Sequence, residues 1–178
     1  MMVDVVFPDG NEESFLHMAE KLGYSEIILL YKRAVPPIKF NSKVKVKRAF
    51  FVDNLKDVER AARDFEMVFA PARREFFESK KVGFLVGAES VDGKDSFHQR
   101  RSGLDEVMCK LAVEKDKVLV FDISQFSFSG LTLGRMMQNA RLCRKFKLKT
   151  LVASFTSNPL EMRAPKDLGG FARLIRLR

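Results

Sequence analysis

The sequence predicts an α/β fold, an irregular TIM-like (β/α) barrel of about seven parallel strands built as one domain over 1–178. Three observations carry this. Short apolar, β-branched runs alternate with helix-period segments from one end of the chain to the other. Most runs are continuously apolar, as parallel strands covered on both faces must be. Neither GxGxxG nor GxxxxGK followed by Ser or Thr occurs, so no nucleotide fingerprint argues for an open sheet. The 178 residues suffice for one domain with a substantial core, and 46% apolar composition excludes a disordered chain. Seventeen Phe and no Trp is an unusual aromatic choice for which the sequence offers no physical account.

The elements follow in order. A strand over 3–7 leads through Pro8-Asp9-Gly10 to a helix over 12–22, where Phe15, Leu16, Ala19 and Leu22 form an apolar stripe. After a strand over 26–30, the stretch 31–43 holds Pro36-Pro37 and basic residues, and reads as a loop replacing a regular crossover helix. Strands are predicted over 44–52, 66–69 and 82–87. A helix over 102–114 places Leu104, Val107, Met108, Leu111 and Ala112 on one face, with Ser102 as its cap and Asp105 completing a variant capping box. A strand over 118–122 precedes a helix over 131–147. That helix turns Leu133, Met136, Met137, Ala140 and Cys143 inward and Arg135, Gln138, Asn139, Arg141 and Lys145 outward. The last strand, 150–154, is followed by a helix from Pro165, a favoured first-turn position, with Leu168, Phe171, Ala172 and Ile175 as its core stripe.

The net charge is +9, and its distribution matters more than its size. Residues 1–30 carry six acids and one base, 31–50 seven bases and no acid, and 131–178 eleven bases and two acids. Clustered Lys and Arg suit a polyanion, because neutralised phosphates release condensed counterions; a solvated basic surface is the competing reading. Cys109 and Cys143 sit in predicted helices without a CxxC, which argues against a disulfide framework or zinc site and fits a reducing compartment. The acidic N-terminus lacks a long apolar stretch, and no run approaches the roughly 18 apolar residues of a membrane span. A soluble, intracellular protein is expected, with no membrane partner.

Chemistry of its own is poorly supported. Metal-dependent phosphoester hydrolysis on a barrel needs several His with carboxylates, and the chain has only His17, in a predicted helix, and His98, in a loop. There is no GxSxG elbow, and Cys109 belongs to an amphipathic helix. No catalytic residue, metal or cofactor is expected. Three regions suit RNA phosphates instead. His98, Gln99, Arg100 and Arg101 precede a helix N-terminus. Arg163 and Lys166 flank the start of the last helix, where βα barrels often hold phosphate. Lys39, Lys43, Lys45, Lys47 and Arg48 include three lysines alternating with Val44 and Val46, which makes a basic ridge or a Lys-protected edge strand. Arg135, Arg141 and Lys145 could track RNA along one helix.

Several of these segments resemble a known family. His98-Gln99-Arg100-Arg101-Ser102-Gly103-Leu104-Asp105-Glu106-Val107 with Lys110-Leu111-Ala112, then Val118–Ser124 with Asp122 near the strand end, Arg135, Leu151–Ser154, and Met162-Arg163-Ala164-Pro165-Lys166-Asp167-Leu168 resemble, in order, the thirty-kilodalton-type subunit of archaeal and eukaryotic ribonuclease P, protein component 3 in archaea. Residues 1–94 agree in layout, with Asp4 in the first strand, but carry weaker motifs. The resemblance implies a barrel related to the polymerase and histidinol phosphatase superfamily without that superfamily's metal ligands. It implies a non-catalytic subunit that assists a catalytic RNA in removing the 5′ leader of precursor tRNA, in the cytoplasm or, in a eukaryote, the nucleolus. The implied partners are ribonuclease P RNA, a small ferredoxin-like subunit in a heterodimer or dimer of heterodimers, other ribonuclease P proteins, and precursor tRNA through the complex. The family usually continues past the last helix, whereas this chain stops at Arg178. The Pro-rich 31–43 also departs from the family layout, so no partner contact transfers there. The competing functions are a divergent metal-dependent phosphoesterase of the same superfamily and a generic RNA-binding protein.

Overall fold

A computed structural model describes residues 2–36, 40–91, 102–124 and 130–177. Seven strands pair side by side in sequence order, every pair parallel: β1 (Val3–Val6), β2 (Glu26–Tyr31), β3 (Lys45–Phe51), β4 (Met67–Pro71), β5 (Phe84–Val86), β6 (Val118–Asp122) and β7 (Lys149–Ala153). Between them run α1 (Glu12–Leu22), α2 (Leu55–Asp64), α3 (Arg74–Glu78), α4 (Ala88–Val91), α5 (Glu106–Glu114) and α6 (Gly130–Phe146), with α7 (Pro165–Leu174) last. The sheet curls into a nearly closed barrel. Its seam is bridged just beyond β7, where the Phe155 amide donates to the Val5 carbonyl and the Phe7 amide to the Thr156 carbonyl, each at 2.9 Å.

Lower on the seam a side chain does the work of the ladder. Asp4 is fully buried, and its carboxyl accepts from the Ser154 amide and the Ser154 hydroxyl, each at 2.7 Å, and from the Val5 amide at 2.9 Å. Burial pushes the Asp4 carboxyl up to about 6, against the bonds from Ser154 and Val5 that favour its ionised form.

Alternation along the strands divides the core. One buried cluster takes Val5, Ile28, Leu30, Ala49, Phe69, Val86, Val120 and Ala153, residues from all seven strands and no helix, so it fills the barrel interior. The larger cluster joins the outward strand residues, such as Val6, Ile27 and Leu29, to the helices. Five of the seventeen phenylalanines meet inside the barrel. Phe84 stacks on Phe69 at 4.4 Å between centroids, and Phe69 meets Phe155 edge-on at 6.4 Å. Phe155 touches Phe7 at 5.7 Å, and Phe7 meets Phe51 at 6.3 Å. A column of five rings therefore runs up the interior, large apolar volume with no polar atom to satisfy.

Two local expectations are corrected. The helix predicted over 102–114 starts at Glu106. Its cap is Asp105, which accepts from the Met108 amide at 2.7 Å, not Ser102. The left-handed Gly103 (φ 79°) turns the chain before the helix, so Leu104 is buried from an extended segment and Val107 is left 63% exposed. In α6, Met136, Ala140 and Cys143 are buried as expected, but Arg135 and Asn139 are buried too, because α6 also packs against α4 and α5.

Candidate functional site

Strand polarity places the C-terminal ends of all seven strands around one mouth, where βα barrels keep their chemistry. An open cavity of roughly 480 Å³ lies there, with Phe7, Phe51 and Phe155 on its floor and Lys32, Arg73 and Asp122 among its walls. Each side chain is delivered by a strand end: Phe7 by β1, Lys32 by β2, Phe51 by β3, Arg73 by β4, Asp122 by β6 and Phe155 by β7. The Lys32 ammonium stands 4.7 Å from the Phe7 ring centre and 5.9 Å from that of Phe51. Arg73 is exposed, and among the described residues it makes only a long 3.9 Å approach to Glu75.

The acidic side of the mouth is engaged with the protein. Asp122 accepts from the Ser124 amide at 2.8 Å. Near it, Glu89 is 3% exposed and its Oε1 has no hydrogen-bond partner among the described residues. Burial pushes the Glu89 carboxyl up to about 7, and the neighbouring Asp122 charge adds to the rise. Arg135 reaches this layer from α6 and donates to the Glu89 carbonyl at 3.1 Å. Among the described residues no three His, Cys, Asp or Glu gather closely enough to hold a metal ion. His17 is exposed on α1. The described mouth therefore does not fit a metal centre. The thiols do not offer nucleophiles either, since burial pushes Cys109 up to about 11 and Cys143 up to about 12.

The residues singled out for RNA do not converge. His98, Gln99, Arg100, Arg101 and Lys39 lie outside the described residues. Lys45 and Lys47 do share a strand face, but it is the interior one, at the N-terminal end of the barrel. There Lys47 pairs with the buried Glu26 at 3.0 Å and Lys45 with it at 3.5 Å. β3 lies between β2 and β4, so the edge-strand reading falls as well. Lys43 precedes the strand and is exposed; its amide donates to Glu20 at 3.0 Å, and that bond holds the Glu20 carboxyl below its usual range. Arg48 points outward and straps the loop after β2. It donates to the carbonyls of Val35 and Pro36 and lies 5.1 Å from the Phe65 ring centre. Arg135 is a buried bracket rather than an exposed RNA contact, because its guanidinium serves the backbone of α4. Lys145 is exposed but bonds to Glu106.

Arg163 and Lys166 are exposed. The Arg163 backbone is fixed by its amide to the Ser154 hydroxyl at 3.2 Å and by its carbonyl, which accepts from the Tyr24 hydroxyl. A short 3₁₀ turn, Pro159–Glu161, carries the chain away from the mouth before α7 begins. Pro165 then lines a cleft with Met2, Val3 and Tyr24, so α7 starts beside the lower seam and not over the mouth. Reading the sequence missed Lys32, Arg73 and Phe7. Their only signal was placement at or just past strand ends, and that signal needed strand boundaries correct to one residue.

No family model matches the chain, and no curated protein matches it by sequence. Solved structures do. A chain in the cryo-EM structure of archaeal ribonuclease P with mature tRNA superposes with a TM-score of 0.74 at 14% identity, over 98% of this chain and 83% of that one. Histidinol phosphate phosphatase from Lactococcus lactis, crystallised with zinc, L-histidinol and phosphate, superposes with a TM-score of 0.68 at 12% identity, over 98% and 92%. At such identities the likeness shows the fold alone: this chain is a seven-stranded parallel barrel of the kind both of those structures contain.

Proposed function

We propose that the chain is a non-catalytic protein subunit of ribonuclease P that helps a catalytic RNA remove the 5′ leader of precursor tRNA. The observation that carries the reading is the furnishing of the mouth. Where a barrel hydrolase would gather metal ligands, the described strand ends bring Phe7, Phe51 and Phe155 with Lys32 and Arg73. The likeness to a chain of archaeal ribonuclease P and the strongly basic C-terminal third support it.

In this reading the protein acts by charge and shape. Exposed cations screen phosphate repulsion and hold the RNA fold that cleaves, which lowers the Mg²⁺ it needs. Among the described candidates, Arg163, Lys166, Lys43 and Arg141 are exposed and make no side-chain bond within the described residues, so they can take that part, and the segment His98, Gln99, Arg100 and Arg101 remains in the proposal. A small ferredoxin-like subunit, other ribonuclease P proteins and precursor tRNA are the proposed partners.

Reconstitution tests it. Adding this chain with its small partner to ribonuclease P RNA at low-millimolar Mg²⁺ raises precursor-tRNA cleavage. Unchanged rate and metal dependence would sink the proposal. The likeness to histidinol phosphate phosphatase keeps one rival in view, a metal-dependent phosphoesterase. Metal-dependent phosphoester turnover by the purified chain, lost on replacing His98 and Asp4 together, would favour that rival.

A further inference from the structure

We propose that the C-terminal mouth of the barrel binds an unpaired nucleotide of single-stranded RNA, its base against the Phe7, Phe51 and Phe155 rings and its phosphate on Lys32 and Arg73. The inference goes beyond the subunit reading and stands without a ribozyme, since it rests on the mouth alone. The roughly 480 Å³ cavity falls in the range of small-ligand sites, about 300–1,000 Å³. Its floor is aromatic and sequence-tolerant, because every base has a face that can stack. Phe7 and Phe51 are only partly buried, so ring surface remains for a ligand after the barrel has packed.

The charge is placed to match. Lys32 makes no ion pair among the described residues and already sits over two rings. A base sliding onto Phe51 therefore brings its 5′ or 3′ phosphate within reach of that ammonium. Arg73 faces the same cavity from β4.

The mouth also opens past Lys32 into a second hollow of roughly 630 Å³ that shares Phe7, Lys32 and Phe155 and adds Arg33. A path lined by Lys32 and then Arg33 suits a backbone that continues beyond one nucleotide, which favours an RNA strand over a free nucleotide. Asp9 and Glu12 also line that hollow, and their charge disfavours phosphate away from Lys32 and Arg33.

The test titrates the full chain with fluorescein-labelled hexaadenylate, with a twelve-base-pair RNA duplex and with AMP, read by anisotropy or NMR shifts. Hexaadenylate is expected to bind at least about tenfold more tightly than either the duplex, whose bases are stacked away, or AMP, which lacks the neighbouring phosphates. Phe51→Leu keeps the apolar volume and is expected to weaken hexaadenylate at least about fivefold. Lys32→Gln is expected to weaken it and lower the salt slope by about 0.7, while Lys145→Gln on α6 changes neither. Thermal melts confirm that the variants fold. Binding unaffected by Phe51→Leu and Lys32→Gln, or no binding of hexaadenylate, would overturn the proposal. AMP bound as tightly as hexaadenylate would overturn the RNA strand as its source. Leader removal is measured separately, so the subunit reading can stand or fall alone.

Discussion

At the residue scale the buried carboxylates give the sharpest expectations. Asp4 has a folded pKa near 6 against an ordinary 3.8, so its protonated form favours the fold. Its contribution is complete below about pH 4 and is lost as pH rises through 6, by up to about 3 kcal/mol. Asp4→Asn keeps an acceptor for the Ser154 amide and is expected to flatten that part of the stability curve in urea unfolding between pH 4 and 7. Asp4→Ala strands the buried Ser154 amide and is expected to cost about 1–3 kcal/mol. Glu89 repeats the logic at higher pH: raised to about 7, it loses its contribution as pH climbs through neutrality, and Glu89→Gln removes that slope. Glu26 is a buried acid paired with two lysines, so Lys47→Ala lowers stability while Lys45→Ala, at the more exposed pair, has little effect. Neither lysine's removal is expected to change RNA affinity, because both face the barrel floor.

At the element scale, the polar residues that looked free for RNA hold segments in place. Arg48 straps 35–36 by two carbonyl bonds and stacks near Phe65. Arg48→Ala is expected to cost about 1–2 kcal/mol and to raise hydrogen exchange in residues 32–36. Asp105→Ala removes the α5 cap for about 1 kcal/mol in unfolding experiments. Arg135 and Asn139 show why a helix read from its stripe alone can mislead. The sequence gives α6 one apolar face, and a helix packed on one side would leave the other to water. Here α4 and α5 cover part of that second face, and the Asn139 amide donates to the Ser102 carbonyl at 2.9 Å.

For the whole molecule, the subunit reading makes Arg163 and Lys166 the cations to test first. Arg163→Ala and Lys166→Ala are each expected to weaken binding to ribonuclease P RNA and lower its salt slope by about 1, with little change in melting temperature. A large drop in melting temperature would assign the residue to the fold instead. The strand sequence, its parallel order and the stripes of the first and last helices were legible in the chain because continuous apolar runs and the 3.6-residue period are local signals. So was the want of histidine, since composition needs no geometry. The faces of β3, the seam carried by Asp4, the ring column and the mouth of Phe and Lys were not legible. Each depends on which residues from distant strands meet once the sheet has curled, and the alternation of a strand says only that two faces exist. Closure decides which face becomes the interior, and so whether a lysine meets solvent or a buried glutamate.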